Sequence, residues 1–132
     1  MGGFDTHENQ LDTHQTLLTQ LDGAVSAFHT DLATNSGGHR VVTLVVSEFG
    51  RRLNSNANGG TDHGTCAPVL ALGRPVIGGF YGAAPSLTAL DPQGDPIMTT
   101  DFSAVYATML SRVLGADPTT LLGSAQPTLA FL

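Results

Sequence analysis

The chain has 132 residues, 41% of them hydrophobic, which is enough for one globular domain with its own core. Formal net charge is −6 and the basic residues are Arg40, Arg51, Arg52, Arg74 and Arg112, too few to form the cationic surface that holds a nucleic-acid backbone. Cys66 is the single cysteine, so no intrachain disulfide can form. No apolar run nears the roughly 20 residues of a membrane span, and no basic-then-apolar leader opens the sequence; as written it predicts a cytoplasmic chain without membrane contact.

In chain order, Met1 to Phe4 reads as the tail of a strand, followed at once by the polar cluster Asp5 to Gln10. Leu11, His14, Leu18, Leu21, Val25, Phe28 and Leu32 recur at three- and four-residue steps, which predicts a helix from about Glu8 to Ala33, ended by Asn35-Ser36-Gly37-Gly38. Arg40 to Val46 is a β-branched, apolar run of the kind buried on both faces of a parallel sheet, so a central strand is expected there. Ser47 to Arg52 would then lie at that strand's carboxyl end, where open α/β sheets bind ligands. Asn54 to Thr65 is rich in Asn and Gly and reads as a surface loop carrying Asp62 and His63. A second strand is expected over Val69 to Leu72, and a short glycine-interrupted segment over Pro75 to Gly82. Asp101 is a candidate N-cap for a helix to Leu114 with the stripe Val105, Met109 and Val113, and Asp117 to Leu132 predicts one helical turn and an apolar tail.

Asp5 and His7 stand two positions apart; in an extended segment both project to one side and can converge on one metal ion, although an isolated pair of this kind also serves as a turn Asp beside an exposed His. Asp62 and His63 are flanked by Gly60 and Gly64, which let backbone approach a ligand closely, and a structural turn accounts for the same residues. Glu48, directly after the predicted strand, is a candidate metal ligand, general base, or partner of Arg51 or Arg52. Arg51, and less so Arg52, is a candidate clamp for a phosphate-like or sulfate-like anion. Cys66 lies three residues from His63, which admits a Cys-His nucleophile as well as a small buried hydrophobe. His14 is expected at the core boundary, and His29 and His39 on the surface.

Four ordered motifs, Gly2 to His7, Ser47 to Arg51, Gly60 to Gly64 and Thr100 to Phe102, resemble the bacterial domain-of-unknown-function family numbered 1501, itself similar to the alkaline phosphatase and sulfatase superfamily. The resemblance implies an α/β domain spanning residues 1–132, a partial alkaline-phosphatase-like parallel-sheet sandwich with flanking helices that lacks the N-terminal half. It implies Asp5, His7 and His63 as the ligands of one metal and Glu48 as a second-metal carboxylate. Phe49 stands where many relatives carry a metal-binding His, and Cys66 where a small residue is expected. Relatives are several times longer and normally exported to the periplasm, and their N-terminal half supplies a further Asp ligand and, in catalytic members, the nucleophile; neither is matched here.

Together these features predict a metal-dependent hydrolase of small phosphate, phosphonate or sulfate esters. Zinc is favoured and manganese or calcium admitted; Glu48 or Asp62 would orient or deprotonate a metal-activated water, and Arg51 would face the developing anionic charge. The alternatives are a non-catalytic metal-binding remnant and a Cys66-His63 esterase. Loss of neighbouring strands from a parallel sheet would leave open edges, so a homodimer or higher homo-oligomer is expected.

Overall fold

A computed structural model describes residues 1–132. It is a mixed α/β chain: helix α1 (Gln10–Thr34), a 3-10 turn (Gly38–Arg40), strands β1 (Thr43–Val45), β2 (Gly50–Ser55), β3 (Thr61–Gly64) and β4 (Leu70–Leu72), then helices α2 (Phe102–Arg112) and α3 (Pro118–Leu122). The strands form two separate antiparallel pairs, β1 with β4 and β2 with β3. The expected parallel-sheet sandwich is therefore corrected: no parallel pair forms, and β1 is one of two strands with an open edge rather than the centre of a sheet. Its three residues are only half-buried, so the apolar run reports high strand propensity without the double-sided cover a parallel sheet provides.

Helix α1 spans one residue more than predicted at its C-terminal end and starts two later. Its inward face is rotated from the expected stripe: His14, Leu17, Leu21, Val25, His29 and Leu32 are half-buried, while Leu11, Leu18 and Phe28 are 80%, 53% and 47% exposed. Side-chain anchors explain the rotation, because the Thr6 hydroxyl meets His14 Nε2 at 2.9 Å and His29 Nε2 meets the Thr43 hydroxyl at 3.1 Å. His29, expected on the surface, thus ties α1 to β1.

The residues Asn54 to Thr65 form a hairpin rather than a loop. Gly50 faces Gly64 and Arg51 faces His63, with a bulge before Ser55 meets Thr61. Asn56 closes the turn by accepting the backbone N–H of Asn58 and Gly60 on its side-chain oxygen, each at 3.0 Å. Met1 to Phe4 and Pro75 to Gly82 form no strand.

The best-packed region lies at the C-terminal end. Asp101 caps α2 by accepting the Ser103 N–H at 2.8 Å, and Asp117 caps α3 through Thr119 N–H at 3.0 Å. Ala104, Val105 and Ala107 are buried with Phe131 of the tail. Thr108 is fully enclosed; its hydroxyl donates to the Ala104 carbonyl and accepts the Leu129 N–H at 2.8 Å, stitching tail to helix. No helix is long and apolar enough to cross a membrane.

Candidate metal centre

The segment before α1 and the β2–β3 hairpin meet edge to edge. Asn9 and Gln10 N–H groups donate to the carbonyls of Asn58 and Gly59, and the Asn56 amide donates to the His7 carbonyl at 2.9 Å. Gly60 is required where the two pass, since a β-carbon there would lie 2.5 Å from the His7 carbonyl carbon and oxygen. Beneath this seam, Thr61 donates to Gln10, and Gln10 donates to Thr6, so α1 is tied to both segments.

Above it, Asp5, His7 and His63 converge. Asp5 Oδ1 is 2.6 Å from His63 Nε2 and 3.1 Å from His7 Nε2, and the two imidazole rings lie 4.8 Å apart. The other ring nitrogen of His7 stands 3.4 Å from Asp62 Oδ1, and Asn56 donates to that same oxygen at 3.3 Å. The His63 hydrogen bond, reinforced by both imidazoles, holds the Asp5 carboxyl below its ordinary value. Asp62 is lowered in the same sense, first by Asn56 and then by His7. These side chains remain 43–65% exposed, and Asp5 and His7 also line an open depression of about 420 Å³ with Thr6, Glu8 and Asn58.

The donor set fits a divalent cation. The candidate ligand atoms of Asp5, His7 and His63 all lie within 4.8 Å of one another. A tetrahedral ion with bonds of about 2.0–2.1 Å sets its donors roughly 3.3 Å apart, so Asp5, at 2.6 and 3.1 Å from the two imidazoles, would move outward and the set, which spans up to 4.8 Å, would adjust around the ion. Donation from His7 Nδ1 to Asp62 would leave Nε2 free to coordinate, the pattern by which a carboxylate orients a metal-binding histidine. Three protein donors leave a fourth position open.

The other expected site residues fall differently. Glu48 is exposed, makes no hydrogen bond or ion pair, and stands outside the donor group. Arg51 does not present its guanidinium to an anion as expected: Nη1 donates to the carbonyls of Thr6 and Thr61 at 2.6 and 2.5 Å, and Nη2 to that of Phe4 at 2.6 Å. The hairpin directs it under the site, because Arg51 is registered opposite His63. Arg52, on the other side of β2, faces the buried carboxylate of Asp95 at 3.5 Å. The Cys66 thiol donates to the Pro96 carbonyl at 3.1 Å and makes no contact with His63, so no Cys-His dyad is assembled. Phe49 instead lies flat on His63, with ring centroids 3.9 Å apart and planes 8° from parallel. Asn56 and Gln10, which brace the ligand segments, escaped the sequence reading; the Asn-x-Asn-x spacing before Gly59-Gly60 was a turn signal for the former.

No curated protein and no solved structure matches the chain. The family model for "Protein of unknown function (DUF1501)" matches residues 1–128, nearly the whole length and all four sequence motifs, and the chain belongs to that family.

Proposed function

We propose that this chain carries the metal centre of a metal-dependent hydrolase acting on phosphate, phosphonate or sulfate esters, as relatedness to the alkaline phosphatase and sulfatase superfamily would imply. The observation that carries the proposal is the convergence of one carboxylate and two imidazoles, drawn from segments far apart in the sequence, to within 4.8 Å of one another. Asp5, His7 and His63 would hold the ion, with zinc favoured by the two imidazoles and manganese or calcium admitted by the carboxylate. When bound, the ion supplies Lewis acidity and lowers the pKa of a coordinated water from about 15.7 toward about 7. Asp62 orients His7 and stands at the rim as a proton acceptor. Glu48, exposed just ahead of β2, would be a second acceptor or ligand, and Arg51 would act by holding the ligand segments through the carbonyls it binds.

Chelation tests the proposal directly. Hydrolysis of an aryl phosphate or aryl sulfate should disappear on dialysis against chelator and return with zinc or manganese. Hydrolysis indifferent to the chelator rejects it. The half-exposed ligands favour one second reading, a metal-binding module without turnover. That module would bind the ion and hydrolyse neither ester.

A further inference from the structure

We infer that Arg51 and Phe49 form the positioning pair of the Asp5–His7–His63 centre, a conclusion that deepens the metal-binding reading and rests on it. The ligands belong to two segments, and β2, which contributes none of them, touches both. Phe4 and Thr6, whose carbonyls accept from Arg51, flank Asp5, and Thr6 directly precedes His7. Thr61, whose carbonyl accepts from the same guanidinium, lies two residues before His63. Charge-assisted bonds from a rigid planar fork fix direction as well as distance, which a lysine ammonium on a flexible stem cannot reproduce for three acceptors.

Phe49 completes the arrangement. It lies two residues before Arg51, just ahead of β2, and its ring stacks on the plane of the His63 imidazole. The Arg51 guanidinium carbon sits 5.2 Å from the Phe49 ring centre, so cation, ring and imidazole form one stack. Each exposed histidine would otherwise be free to change rotamer. Neither Arg51 nor Phe49 contacts the ion site through its own polar atoms; both act through the ligands.

The test uses long-range proton–nitrogen NMR of the His7 and His63 rings in the metal-free chain, and zinc titration against a chromophoric chelator, on the same variants. Arg51→Lys and Arg51→Met should move both sets of ring signals and weaken zinc binding about 10–100-fold. Phe49→Leu should abolish the upfield ring-current displacement of the His63 ring protons, and Phe49→Tyr should restore both that displacement and the affinity. Arg74→Met, at an exposed arginine with no side-chain hydrogen bond or ion pair, is the control and should change neither. If Arg51→Lys and Phe49→Leu match Arg74→Met in ring signals and in zinc affinity, the positioning role is wrong. If the parent chain binds no zinc while the ring signals still move in the Arg51 variants, the metal reading falls and the positioning of the two imidazoles stands.

Discussion

Replacing Gly60 by alanine perturbs the centre without removing a ligand. The added β-carbon would lie 2.5 Å from the carbon and oxygen of the His7 carbonyl and 2.9 Å from Glu8 N, where ordinary contact begins at 3.4 Å. All three are backbone atoms, so no side chain can swing aside and the hairpin must part from the ligand segment by about 0.9 Å, the gap between 2.5 and 3.4 Å. The 2.6 Å approach of Asp5 to His63 and the 3.4 Å approach of His7 to Asp62 both bridge that seam. A displacement of that size carries His63 and Asp62 away from Asp5 and His7 together, and should weaken zinc binding about 10–100-fold. The assay is competitive zinc titration, with far-UV circular dichroism to establish folding. Gly78→Ala is the matched control, since nothing lies within 4 Å of a β-carbon there. A folded Gly60→Ala chain that binds zinc as tightly as Gly78→Ala would refute the claim that this close passage sets the geometry.

Thr108→Val keeps the shape of a fully buried side chain but strands the Leu129 N–H without its acceptor. It should lower stability by about 1–3 kcal/mol in urea titrations, whereas Thr108→Ser, which keeps the hydroxyl, should recover most of that loss, and an unchanged midpoint in Thr108→Val would contradict the stitching role. The capping carboxylates Asp101 and Asp117 are both lowered from 3.8, Asp101 by the Ser103 N–H and Asp117 chiefly by the Thr120 hydroxyl. Because their folded values lie below the unfolded one, their contribution is complete above pH 3.8 and is lost as pH falls through the folded values. Helical signal should therefore decline below about pH 4, and less steeply in the Asp101→Asn, Asp117→Asn double variant; identical acid profiles would remove the caps from the account. The chain exposes 8711 Å² at 13.6 kDa, whereas a compact monomer of that mass exposes about 6,600 Å². We propose that a second copy covers part of the difference, and light scattering behind gel filtration should report a dimer or larger species. A monomer at all concentrations tested contradicts this.

Elements held together by near neighbours were legible in the sequence. The apolar spacing of α1, the Asp101 cap with its helix, and the single turn after Asp117 all rest on contacts within a few residues, and each forms close to its expected place. Asp5, His7 and His63 were singled out together only by the family resemblance of their motifs, since a turn Asp and an exposed His account for each motif alone, and the fold brings their side chains within 4.8 Å of one another. The destinations of side chains that cross the chain were not legible. Whether Arg51 meets an anion or three carbonyls depends on where Phe4, Thr6 and Thr61 lie, and Phe4 is 47 residues away. The same holds for the partner of β1: an apolar run states its propensity for a strand, but a neighbour found later in the chain, antiparallel and alone, decides whether the strand becomes the centre of a sheet or its edge, as Thr43 paired with Leu72 shows. Local periodicity is encoded in the covalent spacing of adjacent residues, whereas pairing and guanidinium contacts exist only once the intervening chain has closed.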